Sequence, residues 1–354
     1  MPNVSEAQVL DALRSIEDPD LHRDIVSLGF IKEIKICEGN VAFQIELTTP
    51  ACPVKDQMKA EAESAVMALP GVTQVAIEMT ASVRGRALSP QEILPGVRHV
   101  IAVASGKGGV GKSTVSANLA VALAKEGATV GLLDADIYGP SIPMMMGIRR
   151  EPDVIKSESG PKMLPVLAHG VLVMSLGFIL KSDQAVVWRG PMLGKAVNDM
   201  LTGCLWGDLD YLVVDLPPGT GDVPMSLAQL VPISGVVVVT TPQQVAQDIA
   251  RKSIAMFRML EQGTGKTIPI LGIVENMSGG IFGSGGAEQS AKQLEIPYLG
   301  SIPLTQTVTL SGDTGYPAVL SGESTPEGSA FMRLARQLAS QLSILHFENE
   351  NPPE

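Results

Sequence analysis

Cysteine is scarce in this chain: Cys37, Cys52 and Cys204 are the three among 354 residues. Their small number and wide separation fit reduced thiols in a reducing compartment better than a disulfide framework. The four histidines, His22, His99, His169 and His346, have no metal-ligand spacing. Positive charge is also short, with 26 Lys+Arg against 37 Asp+Glu and a formal net charge of −11. A nucleic-acid surface needs clustered basic side chains, so nucleic acid is not an expected partner. No apolar run reaches the length of a membrane span, and the start Met1-Pro2-Asn3-Val4-Ser5-Glu6 has no basic leader region. A cytoplasmic protein without membrane contact is expected. There are no internal repeats or low-complexity stretches, and only residues 347–354 read as a disordered tail.

What the chain does have is glycine in one place. Ser105-Gly106-Lys107-Gly108-Gly109-Val110-Gly111-Lys112-Ser113-Thr114 satisfies the G-x-x-x-x-G-K-[ST] phosphate-binding pattern between Gly106 and Ser113. The preceding run His99-Val100-Ile101-Ala102-Val103-Ala104 is short, apolar and β-branched like a buried parallel strand. Residues 113–125 have helical apolar spacing at Val115, Leu119, Ala122 and Leu123. Strand, loop and helix is the order a P-loop requires, so a nucleoside triphosphate, ATP with Mg²⁺, is the expected ligand. Glycines let backbone N–H groups approach an anion closely, and the helix start adds its positive dipole end. Lys112 is expected on the β- and γ-phosphates, Ser113 on Mg²⁺ and Thr114 beside the α-phosphate. Lys107 has no necessary work within one subunit. A cation there can reach across a dimer interface to the transition state of a second copy, which predicts a homodimer.

Residues 85–98 carry two prolines, two glycines and no sustained periodicity, the composition of a linker. Residues 1–84 before it read as a small α+β domain. A helix over 6–15 opens with a Ser5/Gln8 capping box, strands fall near 31–36, 41–47 and 72–79, and a second helix covers 53–68. Residues 99–346 alternate strands and helices, which predicts an α/β, doubly wound, mostly parallel sheet. Its strands are expected at 99–104, 128–133, 171–176, 210–215, 235–241, 270–276 and 297–301.

Acidic residues fall at the carboxyl ends of those strands, where ligands bind in such sheets. Asp215 closes Tyr211-Leu212-Val213-Val214 like a Walker B carboxylate that holds a Mg²⁺-bound water; an ordinary turn-capping aspartate is the weaker reading. Asp134 and Asp136 follow the strand at 128–133, and for Asp134 simple turn chemistry before Gly139-Pro140 stays open.

The loop Gly106-Lys107-Gly108-Gly109-Val110-Gly111-Lys112-Ser113-Thr114 resembles the deviant Walker A motif of the dimerising ATPases that include MinD, ParA and the nitrogenase iron protein. With Leu133-Asp134-Ala135-Asp136-Ile137-Tyr138-Gly139-Pro140-Ser141-Ile142-Pro143, Val187-Trp188-Arg189-Gly190-Pro191-Met192, Asp215-Leu216-Pro217-Pro218-Gly219-Thr220-Gly221-Asp222 and Glu275-Asn276-Met277-Ser278, nearly the whole chain is similar to the Mrp/ApbC (Nbp-like) iron–sulfur carrier family. The N-terminal strings Asp18-Pro19-Asp20, Leu28-Gly29-Phe30 and Thr48-Thr49-Pro50-Ala51-Cys52-Pro53 are similar to a domain associated with iron–sulfur assembly. The resemblance implies a nucleotide-sandwich homodimer with slow, Mg²⁺-dependent ATP hydrolysis coupled to conformational change. Lys107 would act in trans, Asp136 would orient the attacking water, residues 219–222 would sense the γ-phosphate, and Asn276 and Pro303 would contact adenine. It also implies delivery of clusters to apo iron–sulfur clients or exchange with other assembly factors.

One departure bears on the cargo. Many members of that family carry a C-x-x-C shortly after the Glu-Asn-Met segment, whose thiolates are pooled by two subunits around a [4Fe–4S] cluster. Here the stretch is Ser278-Gly279-Gly280-Ile281-Phe282-Gly283-Ser284-Gly285-Gly286, and no cysteine lies beyond Cys204. Such clusters take four thiolates, so the usual bridging site cannot form. A MinD- or ParA-like regulatory or positioning ATPase that carries no cluster is therefore the competing reading. Cys52, before an expected helix start, is either a dipole-activated, iron–sulfur-related thiolate or a buried inert thiol. Met144-Met145-Met146 can dock clients or fill the core. The last helix puts Phe331, Leu334, Leu338, Leu342 and Leu345 on one face, which suits packing better than a membrane because only Arg333 and Arg336 accompany it.

Overall fold

The computed structural model describes residues 4–83, 85, 94–136, 139–157, 160–178, 190–221, 233–264 and 268–350. The described strands are β1 Glu17–Asp18, β2 Arg23–Asp24, β3 Ile31–Cys37, β4 Asn40–Leu47, β5 Gln74–Ala81, β6 Val97–Ala104, β7 Val130–Asp134, β8 Val154–Ser157, β9 Gly160–Met163, β10 Val166–Ala168, β11 Val171–Ser175, β12 Leu209–Asp215, β13 Gly235–Thr240, β14 Ile270–Ser278 and β15 Tyr298–Pro303. The chain divides into two compact units, 1–84 with 339–354 and 85–338.

In the first unit β3 and β4 form an antiparallel hairpin, and β4 pairs with β5 in parallel. The helix Lys55–Met67 lies between β4 and β5 in the chain, because parallel neighbours need a long connection. Strand β4 alternates strictly: Val41, Phe43, Ile45 and Leu47 point into a core with Val9, Leu13, Phe30, Met58 and Val66. The helix Glu6–Leu13 is opened by the expected reciprocal cap, Gln8 N–H to Ser5 Oγ at 3.4 Å and Ser5 N–H to Gln8 Oε1 at 2.9 Å.

The disordered tail expected at 347–354 is helical in its first half. The final helix runs Pro326–Glu350, so residues 347–350 are helical, while 351–354 lie outside the described residues. The extension is anchored within the first unit, where Ser343 Oγ lies 3.2 Å from Thr48 Oγ1 and the Arg23 guanidinium sits 5.6 Å from the Phe347 ring centre. Residues 339–350 thus group with the N-terminal unit and not with the stretch before them. Of the expected linker at 85–98, residues 86–93 lie outside the described residues, and its last two, Val97 and Arg98, already belong to strand β6.

The second unit is a doubly wound sheet in the order β10-β11-β7-β12-β6-β13-β14-β15, parallel throughout except the edge pair β10/β11. Its central strands read as near-continuous apolar runs because helices cover both faces: every residue of β13 is buried, as are seven of the eight in β6. The carboxyl ends of β6, β7, β12, β14 and β15 carry Ala104, Asp134, Asp215, Ser278 and Pro303. Four-residue β8 and β9 pair antiparallel, β8 exposed and β9 mostly half-buried, and the sequence pattern does not announce them, since neither alternates. Among the described residues no helix is long and apolar enough to cross a membrane.

Candidate functional site

The glycine loop between β6 and the helix Lys112–Lys125 has a backbone that depends on its sequence. Gly109 and Gly111 take φ of +81° and +80°, the left-handed region that L side chains rarely adopt. The two differ in surroundings. A Cβ on Gly109 would meet nothing within 4 Å, which leaves room for a ligand, whereas one on Gly111 would lie 2.1 Å from Asn276 Nδ2. Gly106 is required for packing: its Cβ would stand 2.5 Å from the Ile249 carbonyl oxygen on the helix Gln244–Thr264. Phosphate approach therefore accounts for only part of the glycine pattern.

Under this loop four expected residues converge. Lys112 Nζ sits 2.8 Å from Asp215 Oδ1 and 3.5 Å from Asp136 Oδ2, with its side chain 5% exposed. Ser113 Oγ donates to Asp215 Oδ2 at 2.6 Å. Asp215 is fully buried, so these bonds and the ammonium are what hold its charge in a low-dielectric site. Lys107 and Thr114 are half-buried, and among the described residues Lys107 forms no ion pair. Its carbonyl accepts from Ser105 Oγ at 3.0 Å, which leaves the side chain untethered by that bond. Val110 is buried and its carbonyl accepts from Asn276 Nδ2 at 2.9 Å. Asn276 thus touches the loop directly, and Pro303 is paired with Ser278 on the neighbouring strand end. Gly108 is exposed, with Pro218 Cγ 3.9 Å from where its Cβ would be.

Asp134 is a structural acid. Its Oδ1 accepts from Asp136 N–H at 3.1 Å, the turn chemistry that the sequence left open, and its Oδ2 accepts from Ser175 Oγ at 2.9 Å and Ile142 N–H at 3.2 Å. Burial, reinforced by the nearby Asp215 charge, pushes its carboxyl up to about 8.

Sequence reasoning missed Ser116, whose single hydroxyl proton is divided between two acceptors, Asp215 Oδ1 at 2.7 Å and the Lys112 carbonyl at 3.1 Å. Helical spacing could have found it, since 112, 113 and 116 share one helix face. It also missed Glu275, which is fully buried yet accepts from Ser278 Oγ, Gly285 N–H and Ala287 N–H. Ile137, Tyr138, Val187, Trp188, Arg189 and Asp222, singled out above, lie outside the described residues.

The activated-thiolate reading of Cys52 is not met. The helix starts at Lys55, Cys52 is buried, and desolvation pushes its thiol up to about 11, with Asp18 and Asp20 adding to the rise. Cys204 is likewise buried and pushed up to about 12, while Cys37 is exposed. Among the described residues no group of three or more His, Cys, Asp and Glu could hold a metal ion.

Residues 96–339 match the family described as the ParA-type NUBPL iron-transfer P-loop NTPases, and residues 6–78 match the iron–sulfur cluster assembly protein family. The chain is 43% identical over 349 residues to the iron–sulfur cluster carrier protein of Synechocystis, covering 95% of this chain and 97% of the relative. It is 46% identical over 346 residues to that of Deinococcus radiodurans, covering 95% of each. A nucleotide-binding protein from Archaeoglobus fulgidus, solved in complex with ADP, is 35% identical with a TM-score of 0.55, covering 68% of this chain and 95% of that one. The cell-division ATPase MinD of Pyrococcus furiosus, 24% identical with a TM-score of 0.52 over 68% of this chain and 97% of its own, shares the fold. A P-loop with its lysine, serine and strand-end aspartate assembled, on a sheet of this topology and with these matches along nearly its whole length, makes the chain a member of the ParA-type iron-transfer P-loop NTPase family.

Proposed function

We propose that the chain is an ATP-hydrolysing, homodimeric switch of the cytoplasm that carries or assembles iron–sulfur clusters and delivers them to apoproteins. The observation that carries the nucleotide half is the convergence of Lys112, Ser113, Asp136 and Asp215 beneath a left-handed glycine loop. The cargo half is supported by the carrier relatives matched along 95% of the chain.

The donor set fits Mg²⁺, a hard cation that takes hydroxyl, carboxylate and water oxygens; Ser113 and Asp215 would hold it, and bound there it neutralises phosphate charge. Lys112 pairs with Asp215 and Asp136 in the free protein and would turn to the β- and γ-phosphates, exchanging one pair of acidic partners for another. Asp136 would orient the attacking water. Lys107 would reach the phosphates held by a second copy, and Asn276 and Pro303 would face adenine.

The [4Fe–4S] cargo does not fit the usual bridging arrangement in this chain. The segment after Asn276 has no cysteine, and two of the three present are buried, poorly ionised thiols. That same absence is what favours the second reading, a MinD- or ParA-like regulatory ATPase without cargo. Anaerobic reconstitution with iron and sulfide separates the two. A stable, transferable cluster, counted by iron and sulfide analysis, is the expected result, and a protein that binds none supports the regulatory ATPase instead.

A further inference from the structure

We propose that Glu275 is a positioning residue for the nucleotide base: a buried carboxylate that fixes the wall formed by Asn276 and Pro303. The proposal rests on the placement of those two residues against adenine. Glu275 is fully buried near the carboxyl end of β14. Its Oε1 accepts from Ser278 Oγ at 2.8 Å and Gly285 N–H at 3.0 Å, and its Oε2 accepts from Ala287 N–H at 2.9 Å. Burying an acid against neutral donors is expensive, so the group earns its place through the geometry that it imposes.

That geometry leads to the base. Ser278, held by Glu275, pairs with Pro303, and its carbonyl accepts from Leu304 N–H at 2.9 Å. Between Asn276 and Ser278, Met277 has a φ of +57°, a conformation that a non-glycine residue keeps only where its neighbours over-determine it. The constraint comes from both sides, Glu275 through Ser278 and Asn276 through Val110. Glu275 also closes the loop 279–285 by capping the helix Gly286–Leu294, whose own N-cap is Gly285 without a side-chain acceptor. Removing the carboxylate releases Ser278, relaxes Met277 and lets Pro303 drift from Asn276, which keeps its own bond to the Val110 carbonyl. The phosphate cradle keeps its own anchors, Lys112 on Asp215 and Ser113 on Asp215. The consequence is selective for the base.

The test is titration calorimetry of the full chain with ATP, GTP and inorganic tripolyphosphate, for wild type, Glu275→Ala, Ser278→Ala and Asn276→Ala. Glu275→Ala is expected to weaken ATP about tenfold and erode its preference over GTP, while tripolyphosphate affinity changes less than about twofold. Ser278→Ala leaves the acid and both backbone bonds in place, so it reports even where Glu275→Ala does not fold; a selective loss of about threefold is expected. Equal loss of ATP and tripolyphosphate, or no loss of ATP in folded variants, overturns the role of Glu275. If Asn276→Ala alone is base-selective, only the Glu275 proposal fails; if Asn276→Ala also shows no selectivity, the adenine placement beneath it fails.

Discussion

Substituting Gly111 by alanine should damage the P-loop in two separable ways. The first is backbone strain: at φ +80° an alanine costs about 1–2 kcal/mol more than glycine. The second is displacement, since the new Cβ would lie 2.1 Å from Asn276 Nδ2 and the side chain must leave its bond to the Val110 carbonyl, worth about 1 kcal/mol. The expected destabilisation is about 2–3 kcal/mol, roughly a thirtyfold to hundred-and-fifty-fold shift in the equilibrium between closed and open loop. Gly109 provides the control, because it has the same φ but open space where the Cβ would be, so Gly109→Ala should cost only the strain. In Asn276→Ala the collision is gone, and adding Gly111→Ala to it should again cost strain alone. A double-mutant cycle by chemical denaturation should therefore return a coupling of about 1 kcal/mol between positions 111 and 276. Additive effects, or Gly109→Ala as damaging as Gly111→Ala, would refute the reasoning.

Other expectations follow from the same site. Lys112→Ala should abolish nucleotide binding and destabilise the free protein by about 3–5 kcal/mol, since it strips the cation from a fully buried Asp215; calorimetry and denaturation check both. Lys107→Ala should bind nucleotide like wild type yet lose hydrolysis, and normal turnover would exclude a lysine acting in trans. Asp134, raised from 3.8 to about 8, keeps its proton in the folded state while the unfolded chain loses it, so stability falls as pH rises from about 4 to about 8 and is level above. Asp134→Asn should remove up to about 1.4 kcal/mol per pH unit from that slope, read from denaturation midpoints at pH 5 and 7.5; an unchanged slope would mean that Asp134 is ionised in the native protein.

Much of the sheet was legible because its strands are buried on both faces and read as apolar runs: the strands expected at 210–215 and 235–241 are Leu209–Asp215 and Gly235–Thr240. The loop, Lys112, Ser113 and Asp215 were legible because phosphate and metal chemistry restricts residue type and spacing. What escaped depends on contacts distant in sequence. Nothing local tells that Gly106 is needed by the Ile249 carbonyl, or that Glu275 reaches across to Gly285 and Ala287. For Cys52 the sequence left two readings open, and the buried inert thiol holds because the helix begins two residues further on than a dipole argument requires and the core closes over the thiol. The tail was misread because its acids and prolines hide Phe347, which packs onto the N-terminal unit's core.

The central claim is that nucleotide state controls cluster delivery, and the most direct measurement is the rate of cluster transfer from the reconstituted protein to an apo-ferredoxin. Transfer should depend on ATP with Mg²⁺ in wild type and lose that dependence in Lys112→Ala. Equal rates with and without nucleotide, or no cluster to transfer, would contradict the account.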